Sequence, residues 1–460
     1  MDLPRGDGAS GKPKLSLGWK RLNQDETWSR PAINDIERQL LLDAVFPEQS
    51  RGVNRSISEF IVVDPSARPG DGRHWEIARR LKTYADRLKV PMTVIGHRDA
   101  LSDHAEAATR VANSGVFIRH TVYDYAEMPA DPFAESVADL RESLQWLLSG
   151  APFHPSRHIL VPFTDAVLYA LFVDLFASIP AERRPFLHLS TSWDETRMPN
   201  VDRIRDLRLV MQAIRDLNRE AHRIFLYANS RELARRLSRR LGNSFQPLEM
   251  PPPPELAENP GGRADRFTVG VLGGPRLDKG YSDLPEIVAA HNAASLTPRG
   301  TRFVVQHYRT RVSTGEWVRL EAVAAKLRAV PERNVMLVEE MLPSAAYYGV
   351  VQQLDAILLP YDPSVYGARD SSLLVDALAA GKLVFTRDGN FLSAGSRTRI
   401  LSAGDNRLLG EMIADAAAIS DRHRQDAAIA KDLFWSNVCP SRFFAQLLLG
   451  PSIVQSGGTF

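Results

Sequence analysis

The sequence predicts an α/β protein made of two Rossmann-like domains, and three observations carry that reading. Short apolar runs alternate with segments of helical spacing along both halves of the 460-residue chain. The runs are apolar on both faces, as in parallel sheets covered by helices on each side. Between the halves stands Pro251 to Pro254, which fits neither a helix interior nor a central strand. At roughly 150 residues per domain the length holds two or three domains.

Residues 1–55 are polar, contain Gly and Pro, and read as an N-terminal arm with one helix near Ile33 to Val45. The first domain spans 56–248, with strands expected at Phe60–Val63, Met92–Ile95, Ile159–Phe163, Phe186–Leu189 and Ile224–Tyr227. The stretch from Ile159 to Ile179 is long enough to span a bilayer but carries Pro162, Asp165 and Asp174. A carboxylate at that depth costs roughly 2.5–3.5 kcal/mol, so the stretch reads as a buried strand followed by a core helix. A helix fits Trp75 to Leu88, with Trp75, Ala78, Leu81 and Ala85 on one stripe. A second fits Ser230 to Leu241, where Ser230 is a natural N-cap and Gly242 a natural stop.

Residues 249–265 form a stiff, extended, proline-rich linker. The second domain spans 266–430, with strands expected at Phe267–Leu272, Phe303–Gln306, Val335–Val338, Ala356–Pro360 and Leu383–Thr386. Between them Trp317, Leu320, Val323, Ala324 and Leu327 show helical spacing. Two such domains leave a cleft, and ligands of such sheets bind at the carboxyl ends of the strands.

Composition narrows the function. Lys and Arg number 57 against 55 Asp and Glu, a formal charge of +2, and hydrophobic residues make up 44%. These values exclude global disorder and a purely electrostatic nucleic-acid binder. The single cysteine, Cys439, excludes internal disulfides and Cys-based zinc clusters and suits a reducing cytoplasm. The N-terminus has no apolar core of a secretory signal. The 11 histidines show no zinc-ligand spacing, and no Gly-x-Ser-x-Gly elbow or Walker A motif is seen. Arg231, Arg235, Arg236, Arg239 and Arg240 lie on one helix, whose face is either simply solvated or a weak peripheral contact for anionic lipid.

Two segments could carry chemistry. After the first strand of the second domain come Gly273 and Gly274, then Arg276, Lys279 and Gly280. The glycines let the backbone approach a bulky anion that Arg276 and Lys279 can both reach, and Ser282 can cap the following helix. Without a full Gly-x-Gly-x-x-Gly fingerprint, an ordinary turn with two solvated cations fits as well. Further on, a buried strand ends in Pro360-Tyr361, a polar loop carries Tyr366 and Arg369, and a helix starts at Ser371 or Ser372. Backbone N–H groups at that start point toward the cleft, and Asp376, one turn in, can offer a carboxylate to a sugar diol. The alternative is a capping serine and a solvated aspartate. In the first domain a Gly-containing loop running from Asp64 ends at His74, beside Trp75, where it could act or merely pack. Thr164-Asp165 and Ser190 to Glu195 also end strands.

Together the two segments resemble the C-terminal domain of retaining glycosyltransferases of family 4, which have the GT-B fold. The resemblance covers Phe267 to Asp388, through the Gly-rich turn, Arg276-x-x-Lys279-Gly280, and Asp376-Ala377-Leu378-Ala379-Ala380-Gly381. It implies two Rossmann-like domains facing a central cleft, with segment 431–460 crossing back to the first domain through Trp435, Phe443 and Phe444. It further implies that Arg276 and Lys279 hold a donor diphosphate beside Gly273 and Gly274. Asp376 would bind the ribose in place of the usual glutamate, and Glu339 or Glu340 would lie near the base. Tyr366, Ser371 and Ser372 join the donor site, Arg369 meets its phosphates or sugar, and His74 meets the acceptor or the donor phosphate. The family's paired glutamates are eight positions apart, but Ala368 stands eight before Asp376. The loop offers Tyr366, Arg369 and Ser371 instead, as in a divergent subgroup.

The implied activity is transfer, with retention, from a nucleotide-diphosphate sugar to a glycan or lipid-linked acceptor, without a cofactor or obligatory metal and without nucleic acid. The implied setting is bacterial surface glycan or polysaccharide biosynthesis in the cytoplasm, peripheral to the inner face of the membrane. A nucleotide-sugar epimerase of the same fold, and a catalytically silent nucleotide-sugar-binding or scaffold protein, are the alternatives.

Overall fold

The computed structural model describes residues 60–67, 72–97, 114–117, 128–150, 157–204, 206–257, 266–295, 300–310, 312–367, 371–390, 399–438 and 440–449. The arm with its helix near Ile33 to Val45, Ala368, Arg369, Cys439 and the C-terminal tail lie outside the described residues.

Among the described residues the first sheet has seven parallel strands in the order β3-β2-β1-β4-β5-β6-β7. They are β1 Phe60–Val63, β2 Met92–His97, β3 Ser114–Phe117, β4 His158–Val161, β5 Phe186–Thr191, β6 Ile224–Ala228 and β7 Phe245–Pro247. The side chains of β1 show why a run apolar on both faces becomes a central strand. Ile61 and Val63 join Ile159, Phe172 and Leu187 on one face, while Phe60 and Val62 join Leu81 and Tyr84 on the other. Helices α1 Gly72–Leu88, α2 Ala130–Gly150, α3 Ala166–Ala177, α4 Leu207–Glu220 and α5 Arg231–Leu241 supply those two covers. The greasy stretch from Ile159 is thus the end of β4, a break at Pro162, and α3, capped by Asp165 through the Leu168 N–H at 2.8 Å. Ser230 caps α5, accepting from the Leu233 N–H at 3.1 Å, and Gly242 ends it. No helix of the described residues is long and apolar enough to cross a membrane.

The second sheet has six parallel strands among the described residues, ordered β10-β9-β8-β11-β12-β13. They are β8 Phe267–Val271, β9 Thr301–Gln306, β10 Val335–Val338, β11 Ala356–Leu359, β12 Leu383–Arg387 and β13 Ile400–Ala403. Helices α6 Leu284–Ala294, α7 Thr314–Arg328, α8 Ser344–Gln353, α9 Pro363–Tyr366, α10 Ser372–Ala379, α11 Asn406–Ala418 and α12 Ser420–Asn437 surround it. Ala356 and Leu358 face Ile287 and Phe385, whereas Ile357 and Leu359 face Leu374 and Val384. Both sheets reverse their order of strand addition once, between β1 and β4 and between β8 and β11. Such switch points open crevices at the carboxyl edge.

Two features tie the domains together. Pro251 to Pro254 are buried rather than exposed, and the Tyr84 hydroxyl donates to the Pro252 carbonyl at 2.9 Å. At the far end, Trp435 of α12 donates to the Ala379 carbonyl of the second domain at 2.9 Å and packs against the core clusters of both domains. Helix α13, Pro440–Leu449, belongs to the first: Phe444 meets Phe60 edge-on at 5.8 Å, and Gln446 donates to the Pro247 carbonyl at 2.7 Å. The chain crosses between Asn437 and Pro440.

Candidate functional site

The Gly-rich turn after β8 and the loop after β11 meet at the switch point of the second sheet. Gly280 has φ 68° and lies so close to the end of β11 that a Cβ there would stand 1.9 Å from the Pro360 carbonyl oxygen. The Asp362 N–H donates to the Asp278 carbonyl at 3.0 Å. Glycine is required at position 280 by both its left-handed backbone and that approach. Gly273 is braced from β9, its N–H donating to Gln306 Oε1 at 2.8 Å, and Gln306 Nε2 in turn donates to the Glu340 carbonyl at 3.1 Å. A Cβ on Gly273 would sit 3.5 Å from Lys279 Nζ, so that ammonium lies over the turn. Gly274 faces Tyr308 and Thr310, and Arg276 pairs with Asp278.

From β11, buried Tyr361 hydrogen-bonds Ser371 and lies near Arg276 and Asp278. Burial pushes its hydroxyl well above the usual range, so it stays protonated. Its ring meets Tyr366 at 4.5 Å. Gly273, Gly274, Arg276, Lys279, Tyr366 and Ser371 therefore share one site, and Ser372 opens α10 beside it. Ser371 stands at the N-cap position without bonding the helix through its side chain.

Other expected residues lie differently. Ser282 caps nothing: it sits in a 3₁₀ turn and its hydroxyl donates to Asp283 at 3.2 Å, because α6 starts later, at Leu284-Pro285. Glu339 is exposed and paired with Arg328 at 2.6 Å, while Glu340, also exposed, is linked to the turn through its carbonyl. Asp376 is buried, with Oδ1 3.2 Å from Arg80 Nη2 of α1 and Oδ2 accepting from the Tyr347 hydroxyl at 3.3 Å. Burial pushes its carboxyl up to about 6, although Arg80 and Tyr347 pull the other way. On α5, Arg235 pairs with Glu232, and Arg236 and Arg240 approach Glu195 at 3.7 and 3.6 Å. Asp194 is used by its own turn, accepting from the N–H groups of Thr196 and Arg197, both at 3.1 Å.

At the switch point of the first sheet, His74 Nδ1 lies 3.0 Å from both oxygens of Asp64, the residue that follows β1. The ring packs on Phe163 at 4.1 Å, just beyond β4. Glu76, half a turn further along α1, meets Ser344, the first residue of α8. The carboxyl edges of the two sheets are thereby turned toward each other, with His74 on one side and the Gly-rich turn on the other.

Asp165, beside this pair, is wholly buried, and burial pushes its carboxyl up to about 6 against the pull of the Leu168 N–H and Asn200. Its unfolded value is near 3.8, so the folded chain binds the extra proton between these values. The resulting stabilisation is fully present below about pH 3.8 and is lost as pH rises through 6, a total of about 3 kcal/mol, of which roughly 2 kcal/mol falls between pH 4 and 7. Asp165→Asn keeps the helix cap without titrating. Urea unfolding from pH 4 to 7 is expected to show the wild-type stability falling relative to the variant by that amount; parallel curves would refute the shift.

No protein-family profile matches the sequence, and no curated protein matches it. Solved structures do. An α,α-trehalose-phosphate synthase (UDP-forming) from Burkholderia xenovorans is similar over 85% of this chain and 99% of its own, with a TM-score of 0.60 at 11% identity. Sucrose-phosphate synthase from Thermosynechococcus elongatus is similar over 87% and 100%, at 0.56 and 12%. Anabaena HepE, solved in complex with UDP-glucose, is similar over 86% and 99%, at 0.51 and 14%. The fold is GT-B.

Within this GT-B frame, three residues read from the sequence only as strand ends or the start of a loop turn out to orient the site. Asp64, Gln306 and Tyr361 each stand at or just past the end of an apolar run, on β1, β9 and β11, where polar groups face the cleft. That shared position is the signal that could have found them. Arg80 has none, because its partner lies 296 residues away.

Proposed function

We propose that this chain transfers a sugar from a nucleoside-diphosphate sugar to an acceptor, with retention at the anomeric carbon. The supporting observation is the convergence, at the β8/β11 switch point, of the Gly273-Gly274 turn, Arg276, Lys279 and the start of α10. As the nucleoside diphosphate departs, negative charge grows on its phosphates. Arg276, Lys279 and the amide groups at Ser371 and Ser372 oppose that charge, so they bind the transition state more tightly than the ground state. Tyr366 flanks the sugar side, Arg369 is assigned to the phosphates or sugar, and Glu340 or Glu339 to the base. His74, oriented by Asp64, meets the acceptor or the donor phosphate from the facing domain. Asp376 is left out of the donor set because its carboxylate is buried, 4% exposed, and its oxygens are turned to Arg80 and Tyr347.

HepE is solved with UDP-glucose, and an α,α-trehalose-phosphate synthase from Burkholderia xenovorans with glucose-6-phosphate. These are the first donor and acceptor probes, beside glycan and lipid-linked acceptors. The reading needs no cofactor and no obligatory metal, since side chains and amides supply the positive charge. It places the chain in the cytoplasm, in bacterial surface glycan or polysaccharide synthesis, with the arginines of α5 toward the inner face of the membrane.

The test is a panel of nucleotide sugars read by melting shift, followed by acceptor-dependent release of nucleoside diphosphate in EDTA and assignment of the product anomer by NMR. A melting shift with diphosphate release and a retained anomer supports the reading. Conversion of one nucleotide sugar into another points to an epimerase. A shift without turnover, or none with any donor, favours the silent module that the missing glutamate at Ala368 keeps open.

A further inference from the structure

Between α1 of the first domain and α8 and α10 of the second lies a buried polar cluster. Arg80 Nη2 reaches Asp376 Oδ1 at 3.2 Å and donates to the Tyr348 hydroxyl oxygen at 2.9 Å. The Tyr348 hydroxyl donates to Glu76 Oε2 at 2.9 Å, and Tyr347 donates to the second oxygen of Asp376 at 3.3 Å. Arg79 pairs with Glu76 at 3.0 Å and with Glu255 of the linker at 2.5 Å. The side chains of Arg80 and Asp376 are 7% and 4% exposed.

A buried ion pair adds little net stability over apolar groups of the same shape, but stranding one of its charges is costly. Such a pair therefore enforces a geometry: the two helices cannot slide past each other here without leaving a buried charge unpaired. Its placement matters for the cleft. Arg80 stands six residues beyond His74, and Asp376 five beyond Ser371. At about 1.5 Å per helical residue, His74 lies roughly 9 Å and Ser371 roughly 7.5 Å from the pair along their helix axes. A fixed contact that close sets how the two starts face each other.

We propose that Arg80 and Asp376 are positioning residues that register α1 against α10 across the cleft, and that Asp376 is not a nucleotide ligand. The turnover and UDP-binding arms of the test rest on the proposed nucleotide-sugar transferase reading, whereas the distance arm does not. Spin labels go on cysteines replacing exposed Arg219 of α4 and Val318 of α7, in a Cys439→Ser background. The wild type is expected to give one narrow distance distribution. Arg80→Met and Asp376→Asn are expected to broaden it by several ångströms while leaving UDP affinity within about threefold. The double variant Arg80→Met/Asp376→Leu leaves no stranded charge, so it keeps the fold accessible if the single variants misfold, and it is expected to broaden the distribution too. With UDP-glucose as donor, kcat is expected to fall about tenfold or more with little change in KM, and Arg80→Lys to recover only part of it. An unchanged distribution in the double variant overturns the proposal. So does a tenfold or larger loss of UDP affinity in Asp376→Asn with the distribution unaltered. Absence of turnover in the wild type would count against the transferase reading, while the distances would still decide the positioning role.

Discussion

Replacing Arg276 and Lys279 together by alanine is expected to weaken binding of the best nucleotide sugar by roughly a hundredfold or more. A hydrogen bond to a charged group contributes about 1.5–3 kcal/mol, and each 1.4 kcal/mol is a factor of ten. The two sites are not equivalent. Lys279 lies over the Gly273 turn, so Lys279→Ala removes a cation where the phosphates would sit. Arg276 is paired with Asp278, and Arg276→Ala leaves that carboxylate beside the phosphates without its guanidinium. The variant therefore loses an attraction and gains a repulsion, and Arg276→Ala/Asp278→Ala should bind donor more tightly than Arg276→Ala alone. Turnover should fall further than affinity, because the charge on the leaving diphosphate grows toward the transition state. Calorimetry and steady-state kinetics on the same samples check both statements; unchanged donor affinity in the double alanine variant would remove the site assignment.

How much was legible beforehand follows from burial. Strands β8 to β12 and β1, β2, β4, β5 and β6 are apolar runs because helices cover both of their faces. Three strands absent from the sequence reading, β3, β7 and β13, are all sheet edges. The fourth edge, β10, is legible because Val335–Val338 is apolar throughout, whereas the short edges β3, β7 and β13 carry Ser, Gly, Gln or Pro and leave no apolar run to read. Helix α4 was within reach, since Leu207, Met211, Ile214 and Leu217 form its buried stripe. At the site, glycine spacing and nearby cations are local signals and could be read. The partners that orient them are not local: Gln306 lies 33 residues from Gly273, and Arg80 is 296 residues from Asp376. A carboxylate expected to meet a sugar diol looks the same in sequence as one that meets an arginine from the other domain.

Gly280→Ala should be among the most damaging single substitutions in the second domain. Two costs add. At φ 68° an alanine pays roughly 1–2 kcal/mol for a left-handed backbone. Its Cβ would also stand 1.9 Å from the Pro360 carbonyl oxygen and 2.8 Å from the carbonyl carbon, which no side-chain rotation relieves. Pro360 cannot easily retreat, because β11 is held in register by β8 on one side and β12 on the other. The turn must move instead, breaking the Asp362 N–H bond to the Asp278 carbonyl and carrying Arg276 and Lys279 away from α10. Gly300 separates the two costs: it has φ 65° with open space around it, so Gly300→Ala meets only the backbone cost. Urea unfolding is expected to place Gly280→Ala below Gly300→Ala by about 2 kcal/mol or more, and only the former should lose nucleotide binding. Equal losses would mean that the Gly-rich turn does not press on β11, and that the two segments form separate loops rather than one anion site.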